Sequence, residues 1–369
     1  MSKQENITFL NDAIDGSFEV LKWNYLNYGK DKQLFVPMWS GRVGCGKSQG
    51  VNQVKNLLAD WMLDQGKIKD KSEYKLVYVD APQYDAGEIS GWFVPSKDGQ
   101  SMTRLRPNHC PADGAGVIFI DEVTQAPTSI QNILGQLILE RRLGEHKLGK
   151  DWMIVCAGNR VKDRAGSNVM PTQVRDRLKP WYNVDNNIDS IVAHFSKKGV
   201  NSKIISWLKY QPRYVEESAF DRDANSNPTP RSCEIAGSVL DMELSDHLVF
   251  PTLAGTIGEE GAQALMSFLK YYDRLPNIDN IIKNPSTAEM VEKGTALAFV
   301  LTTELSKRAN KSNFGNIADY MVRMYQENDT AELVASFVKE CLARDGTLKT
   351  HPKMLELFGS NSPFKNLLN

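Results

Sequence analysis

The residues best suited to chemistry are 41–48, which read GRVGCGKS. They fit the pattern G-x-x-x-x-G-K-[ST], in which glycines let the backbone turn its N–H groups inward onto a phosphate. Lys47 is spaced to reach the β- and γ-phosphates of a nucleotide, and the Ser48 hydroxyl is spaced to ligate Mg²⁺. The pattern therefore predicts a phosphate-binding loop, and an ordinary glycine-rich turn is the alternative.

A phosphate loop must follow a strand and open a helix. The apolar run 34–39 predicts the strand, with Pro37 at its first residue because proline lacks the N–H that a central strand needs. Apolar residues recur at helical spacing from Val51 to Met62, and Gly66 predicts the end of that helix. A helix N-terminus favours a bound anion, so this context supports the loop.

A second group of residues lies 74 positions further on. Four apolar residues, 117–120, precede Asp121 and Glu122, as expected for a buried parallel strand that ends in two carboxylates. Ligands of open α/β sheets bind beyond the carboxyl ends of strands. Asp121 suits Mg²⁺, and Glu122 suits a general base for an attacking water. The alternative is a strand that ends in solvated acids.

Two weaker signals follow. The apolar run 152–157 predicts another strand, and Asn159 near its end is placed to orient water or to contact a γ-phosphate, although Gly-Asn is also ordinary turn chemistry. Arg175 and Arg177 lie close together, and an arginine supplied by a neighbouring subunit stabilises charge during phosphoryl transfer. A solvated helix face is the alternative, and the sequence leaves open which arginine acts.

The order of these motifs resembles that of an AAA+ ATPase, and within that class the MoxR group and its phage-type relatives. Gly41–Ser48 match the Walker A motif and Ile118–Glu122 the Walker B motif. Ala157–Asn159 match sensor 1, where the family usually has Thr-Gln-Asn. Asp176–Leu178 stand at the place of the arginine finger, and Thr229–Ser232 at that of sensor 2.

The resemblance implies an α/β fold, a P-loop NTPase (AAA+) parallel-sheet core with a helical lid and a helical C-terminal extension. The expected boundaries are 1–185 for the nucleotide-binding core, 186–275 for the lid and 276–369 for the extension. Helical patterns support this division, since they begin after Val184. The predicted helices are 188–198, 204–210, 232–242, 259–272, 287–307, 314–326 and 330–344.

The resemblance also implies the cofactors ATP and Mg²⁺ and a set of site residues. Ser48 and Asp121 are the expected metal ligands, and Glu122, Asn159 and Arg177 the expected catalytic residues. Arg231 is expected to contact the nucleotide from the lid. The expected nucleotide-binding residues are Gly41, Gly44, Cys45, Gly46, Lys47, Ser48, Gln49, Asp121 and Arg231.

Two hairpins are predicted in the core. Asp98-Gly99 is a turn signal between runs that carry Trp92, Phe93 and Met102. In the relatives a hairpin at this place lines a central pore, and core packing of Trp92 and Phe93 is the alternative. The segment 141–150, with two glycines, predicts the second hairpin.

Composition narrows the class of protein. The 369 residues are 41% hydrophobic and 24% charged, with a net charge of −1, which suits a globular protein and makes a nucleic-acid partner less expected. No apolar run is long enough for a membrane span, and residues 1–6 lack the apolar core of a secretory signal. Five scattered cysteines fit reduced thiols, so a cytoplasmic location is expected.

These observations together predict a Mg-ATP-dependent ATPase of MoxR type. The resemblance implies a homo-oligomeric ring, a hexamer as in relatives, that remodels a protein substrate. A von Willebrand A domain protein is an expected partner, as a separate chain, because this chain lacks the D-x-S-x-S metal motif of that domain. A nucleic-acid-stimulated motor of McrB type and a non-hydrolysing nucleotide switch are the alternatives.

Overall fold

The computed structural model describes residues 7–160, 168–185, 187–215, 221, 224–292, 295–328 and 331–358. The chain divides into two compact units, Met1–Asp185 and Asn186–Asn369. Within the described ranges, no helix is both long and apolar enough to cross a membrane.

The first unit is built on a parallel sheet. Among the described residues its strands lie in the order β1-β10-β2-β9-β6-β3, and every neighbouring pair is parallel. The strands are β1 (Ile7–Phe9), β2 (Met38–Gly41), β3 (Tyr74–Asp80), β6 (Ala115–Asp121), β9 (Trp152–Gly158) and β10 (Trp181–Asp185). The helices are α1 (Leu10–Asn27), α2 (Lys47–Asp64), α3 (Ala86–Ser90), α4 (Thr128–Glu140) and α5 (Thr172–Arg177).

Strand β6 shows why the central strands read as continuous apolar runs. Every residue of β6 is buried. Ile118 and Ile120 belong to one hydrophobic cluster, and Val117 and Phe119 belong to another. Because successive side chains of a strand point to opposite faces, these two clusters are the cores on the two sides of the sheet. A sheet covered on both faces needs apolar residues at every position.

The strand before the phosphate loop begins one residue later than predicted. Pro37 precedes β2 instead of opening it, and its carbonyl accepts a hydrogen bond from the Cys156 N–H at 2.9 Å. Proline can accept but not donate, so this position suits it. After the loop, α2 ends at Asp64, in agreement with the predicted stop at Gly66.

Both predicted hairpins are present. Strands β4 (Phe93–Pro95) and β5 (Met102–Arg104) pair in antiparallel fashion around the Asp98-Gly99 turn. Strands β7 (Arg142–Leu143) and β8 (His146–Lys147) form the second hairpin. Arg104 joins the two hairpins, because its N–H donates to Glu145 Oε1 at 2.7 Å and its carbonyl is bonded to His146 Nε2 at 2.8 Å. Arg106 Nη1 donates to the Cys110 carbonyl at 2.8 Å and to the Lys147 carbonyl at 2.9 Å.

The second unit is helical in its described residues. Helices α12 and α14 pack on each other, and they also contact α7 and α6 respectively. Helix α9 packs against α8 and α10. The helices are α6 (Ile188–Lys198), α7 (Ser202–Tyr210), α8 (Pro230–Asp241), α9 (Asp246–Ile257), α10 (Glu259–Leu269), α11 (Ile278–Lys283), α12 (Ala296–Arg308), α13 (Phe314–Asn328), α14 (Ala331–Arg344) and α15 (Pro352–Leu357).

Two of the predicted helices were too long. The segment 287–307 is helical only from Ala296, after Thr295 as N-cap. Ala288 and Val291 are buried in a hydrophobic cluster without being helical, so their apolar spacing reflected burial alone. The segment 259–272 ends as an α-helix at Leu269. Helix α9 was not predicted, and Pro251 inside it weakens its helical signal.

A buried ion pair joins α7 to α14. Lys209 Nζ lies 2.6 Å from Glu340 Oε1, and the two side chains are 5% and 0% exposed. Thr303 accepts from Lys209 at 3.1 Å, and Ser306 donates to Glu340 Oε2 at 2.9 Å. Because both charges are paired and further hydrogen-bonded, removing one partner would leave a buried charge uncompensated. This network lies on both sides of the boundary predicted at 275, which itself stays a prediction.

Candidate nucleotide-binding site

The phosphate loop connects the end of β2 to the start of α2. Gly44 and Gly46 have φ values of 76° and 88°, in the left-handed region that favours glycine. Gly46 is the N-cap of α2, and Lys47 is the first residue of that helix. A Cβ at Gly41 would lie 2.6 Å from the Val184 carbonyl oxygen, so glycine lets β10 approach the loop. The loop therefore has the conformation that the glycine spacing requires.

The Lys47 ammonium is buried within the loop. Its Nζ donates to the Gly41 carbonyl at 2.8 Å, to the Arg42 carbonyl at 2.9 Å and to Asn159 Oδ1 at 3.0 Å. Only 7% of the residue is exposed. An ammonium has three donors, and all three are used here. A phosphate bound in this loop would therefore replace one or more of these acceptors of Lys47.

Asp121 and Ser48 form the candidate metal site. The Ser48 hydroxyl donates to Asp121 Oδ2 at 3.1 Å, and the Glu122 N–H donates to Asp121 Oδ1 at 2.9 Å. A carboxylate beside a hydroxyl fits Mg²⁺, which prefers oxygen ligands and takes one or two carboxylates together with substrate phosphates. The described residues contain no cluster of three or more His, Cys, Asp or Glu that could hold a metal ion by themselves.

Tyr78 also contacts the candidate metal site, although it belongs to none of the sequence motifs. Its hydroxyl donates to Asp121 Oδ2 at 3.1 Å from the neighbouring strand β3. Burial raises the pKa of the Tyr78 phenol, and the charge of Asp121 raises it further, so the hydroxyl stays protonated and remains a donor. Tyr78 lies in an apolar strand, and only the pairing of β3 with β6 shows its proximity to Asp121.

Glu122 follows Asp121 at the end of β6, and it is half-buried. Its φ is 51°, an uncommon conformation for a residue other than glycine. Glu122 Oε2 accepts hydrogen bonds from Asn159 Nδ2 and from Gln125 Nε2, both at 2.9 Å. Burial raises the pKa of the Glu122 carboxyl, while the Lys47 charge opposes that rise. A base with a raised pKa is better matched to proton abstraction near neutral pH.

Asn159 joins the loop to the candidate base. The residue is 1% exposed, and its amide accepts from Lys47 through Oδ1 and donates to Glu122 through Nδ2. One buried side chain thus contacts both the phosphate-binding lysine and the candidate base. The structure brings together five predicted site residues, namely Lys47, Ser48, Asp121, Glu122 and Asn159.

Other predicted residues of the loop have less specific surroundings. Cys45 is buried, and burial raises the pKa of its thiol, which therefore stays protonated at neutral pH. Gln49 is exposed in the first turn of α2. Arg42, which was not predicted, lies 3.0 Å from Asp185 Oδ1, and Arg160 lies 3.7 Å from Asp185 Oδ2. Asp185 thus connects the loop to the residue that follows Asn159.

The predicted arginines lie elsewhere. Arg177 Nη1 donates to the Gly135 carbonyl at 3.0 Å, so it packs on α4, and Arg175 is exposed. No hydrogen bond or ion pair within the described part of the chain joins Arg177 to the phosphate loop. Arg231 belongs to the second unit, where it is exposed in the first turn of α8 after the N-cap Thr229.

The first hairpin presents aromatic side chains to solvent. Trp92 and Phe93 are 58% and 56% exposed, which excludes the core-packing alternative for both. The Arg104 guanidinium lies 4.5 Å from the centre of the Phe93 ring, a cation–π distance.

Comparison with known proteins agrees with this geometry. Residues 38–178 match the family described as the AAA domain (dynein-related subfamily). No curated protein sequence matches the chain. The family match to residues 38–178 covers less than half of the chain, and it includes both Walker motifs and Asn159.

Similar solved structures are distant in sequence. NtrX from Brucella abortus in complex with ADP is 13% identical, over 92% of this chain and 68% of that one, with a TM-score of 0.41. The Thermotoga maritima RuvB Holliday junction branch migration motor is 16% identical, over 82% and 84% of the two chains, with a TM-score of 0.34.

The sheet order supports the family match independently. Without β1, the order β10-β2-β9-β6-β3 corresponds to the 5-1-4-3-2 arrangement of the AAA+ core, and the phosphate loop follows β2, which lies between β10 and β9. The fold is therefore that of a P-loop AAA+ protein, and residues 38–178 are similar to an AAA domain.

Proposed function

We propose that the protein is a Mg-ATP-dependent AAA+ ATPase of MoxR type, which hydrolyses ATP at the subunit interfaces of a ring and remodels a partner protein. The observation that carries this proposal is the buried amide of Asn159, which contacts both Lys47 and Glu122. A protein that only bound nucleotide would not need its base and its phosphate-binding lysine joined in this way. The arrangement thus favours hydrolysis over a non-hydrolysing switch.

Each residue has a proposed role. The loop amides and Lys47 hold the phosphates, with Gly41, Gly44, Cys45, Gly46 and Gln49 shaping the surroundings of the loop. Ser48 and Asp121 would hold Mg²⁺, which neutralises charge on the phosphate oxygens when bound. Glu122 accepts a proton from the attacking water, and Asn159 fixes the Glu122 carboxylate. Positioning and charge neutralisation supply most of the catalysis in phosphoryl transfer.

The remaining roles need other parts of the assembly. Arg177, which packs on α4 in its own subunit, is proposed to complete the site of the neighbouring subunit in a hexameric ring. Residues 186–275 are proposed to act as a lid, from which Arg231 contacts the nucleotide. Residues 276–369 are proposed as a helical extension of that lid. A von Willebrand A domain protein in trans is the proposed partner.

The test is a comparison of phosphate release with Mg²⁺ and with EDTA. We expect hydrolysis only with Mg²⁺, loss of hydrolysis in Lys47→Ala, and little change in Lys55→Ala, a control on the same helix. Native mass spectrometry with nucleotide should show a closed ring. Absence of Mg²⁺-dependent hydrolysis would overturn the proposal, and steeply salt-dependent stimulation by DNA would favour a nucleic-acid motor instead.

A further inference from the structure

A cleft of about 600 Å³ lies in the first unit at the end of β3, between α3 and the first hairpin. None of its lining residues belongs to the phosphate loop. Its walls combine aromatic and aliphatic surface with carboxylates. Its lining includes Tyr78, Asp80, Tyr84, Glu88, Trp92 and Leu105.

The apolar wall of the cleft is open to solvent. Tyr78, Trp92 and Leu105 are 51%, 58% and 55% exposed. Apolar side chains scattered singly over a surface are normal, but three in one concave site are typical of a binding site. A ligand seated in this hollow would cover all three side chains.

The backbone holds this wall in place. The Leu105 N–H donates to the Trp92 carbonyl at 2.9 Å, and Gly91 has a φ of 91°. A Cβ at Gly91 would lie 2.1 Å from the Leu105 carbonyl oxygen, so only glycine permits this approach. The Trp92 ring packs over Gly87, where a Cβ would lie 3.0 Å from it. A rigid wall binds with less loss of conformational entropy.

The charges of the cleft favour a cationic ligand. Asp80 and Glu88 contribute two carboxylates. Arg106, the one lining arginine among the described residues, is held by two backbone carbonyls, and the two carboxylates outnumber its single positive charge. His109 is neutral, because burial lowers the pKa of its ring, whose Nε2 is bonded to the Ile89 carbonyl. Aromatic faces beside carboxylates suit the apolar stem and the charged head of arginine or lysine. The same carboxylates repel nucleic-acid phosphates.

We infer that this cleft binds an arginine or lysine side chain of an extended segment of a partner protein. The inference deepens the proposed function and rests on it, because it gives the chemistry by which the ATPase would recognise the protein that it remodels.

Tyr78 connects the cleft to the nucleotide site. Its ring lines the cleft, and its hydroxyl donates to Asp121 Oδ2 at 3.1 Å. A side chain stacked on the ring restricts the phenol and so fixes the orientation of the Asp121 carboxylate. Coupling between two sites is reciprocal for binding, so bound Mg-ATP should in turn raise the affinity of the cleft for the segment. Tyr78 is a positioning residue in this scheme.

The first experiment measures binding by fluorescence anisotropy without nucleotide. The probe is a fluorescein-labelled Gly-Ser peptide with arginine at alternate positions, and the matched peptide has glutamine in place of each arginine. We expect the arginine peptide to bind at least about fivefold more tightly. Glu88→Gln and Trp92→Ala should each weaken its binding about fivefold. Glutamine at position 88 keeps the capping bond of α3, and Asp15→Asn, at an exposed position of α1, is the charge control.

The second experiment measures coupling. The arginine peptide should stimulate hydrolysis by the full-length wild type, relative to its own basal rate. Tyr78→Phe keeps the ring but removes the hydroxyl, so it should bind the peptide with similar affinity and lose the stimulation. If Tyr78 had only a structural role, Tyr78→Phe would change folding or peptide affinity and would leave the ratio of the stimulated to the basal rate of hydrolysis unchanged.

Three results would overturn the inference: equal affinity for both peptides, unchanged peptide affinity in Glu88→Gln and Trp92→Ala, or competition for the cleft by single-stranded DNA. The binding assay contains no ATP, so it remains informative even if the wild type fails to hydrolyse ATP. Failure of the wild type to hydrolyse ATP would overturn the proposed function, and the cleft would still be a peptide-binding site.

Discussion

The side-chain amide of Asn159 donates to Oε2 of Glu122 at 2.9 Å. The other end of the same amide accepts from Lys47 at 3.0 Å. Recruitment of Lys47 by a phosphate would therefore weaken one bond of Asn159 and leave the other to hold Glu122. Occupation of the phosphate loop would therefore change the hydrogen bonding of the side chain that holds the proposed base.

The first prediction concerns the removal of this amide. Asn159→Ala should lower the turnover of ATP about 100-fold, because a small misplacement of a reacting group has an effect of that size. The Asn159 hydrogen bond lowers the pKa of Glu122, so its loss should raise that pKa. The acid limb of the pH–rate profile should then move to higher pH. Steady-state rates across a pH series give both quantities.

A matched control for that experiment is Asn132→Ala. Asn132 is exposed on α4, where its side chain accepts a hydrogen bond from Gln173. The Asn132→Ala substitution should leave the pH–rate profile unchanged. An acid limb that stays in place in Asn159→Ala would show that the amide does not tune Glu122.

The second prediction tests Glu122 as the base. Glu122→Gln should bind ATP normally and hydrolyse it at least about 100-fold more slowly, because glutamine cannot accept the proton of the attacking water. Equilibrium binding of a fluorescent ATP analogue and single-turnover hydrolysis separate the two effects. Glu19→Gln, an exposed residue of α1, is the control. Wild-type turnover in Glu122→Gln would require another base.

The third prediction uses the raised pKa of Glu122 in a stability measurement. Its folded-state pKa lies above the unfolded value of about 4.3. The related stability is therefore present below the unfolded pKa and lost as the pH rises through the folded pKa. Glutamine resembles the protonated form, so Glu122→Gln should be more stable than the wild type at neutral pH. This difference should shrink as the pH falls to about 4.

Thermal unfolding of both proteins at several pH values measures this difference. Glu140→Gln is a control of opposite sign, because the hydrogen bond from Arg142 lowers the pKa of Glu140. It should not increase stability at neutral pH. If Glu122→Gln were less stable than the wild type at neutral pH, the pKa of Glu122 would not be raised in the folded protein.

Much of the core and its motifs could be predicted because buried parallel strands carry a strong local signal. Helix α1 could not, since its buried face includes Ser17 and Asn24. Ser17 accepts from Trp39 Nε1 at 2.9 Å, and Asn24 bonds both the N–H and the carbonyl of Phe35. The two polar side chains interrupt the apolar spacing of α1, although both are buried. Their hydrogen-bond partners are distant in sequence, so no local pattern shows that these positions are buried.

The candidate site was predictable where one motif contains the residues, and less so where strands meet. Lys47, Ser48, Asp121 and Glu122 follow from local spacing alone. The contact of Tyr78 with Asp121 joins residues 43 positions apart, and it depends on the register in which β3 pairs with β6. No local pattern encodes that register.

The fourth prediction distinguishes the two arginines that the sequence left open. In a ring, Arg177→Ala should assemble normally and lose about 1,000-fold in turnover, the usual effect of an arginine supplied in trans. Arg175→Ala should retain activity, because Arg175 is exposed and only Arg177 is oriented by a hydrogen bond, to the Gly135 carbonyl. Native mass spectrometry and phosphate release measure the two properties.

Mixing experiments then test whether Arg177 acts across the interface. Arg177→Ala and Asn159→Ala should each be inactive alone, and a mixed ring places an intact Arg177 beside an intact Asn159 at some interfaces. Activity should therefore return on mixing, with a maximum near equal proportions. Without recovery, Arg177 would act within its own subunit, and the proposed shared site would be wrong. Recovery with Arg175→Ala as the inactive partner would assign the role to Arg175 instead.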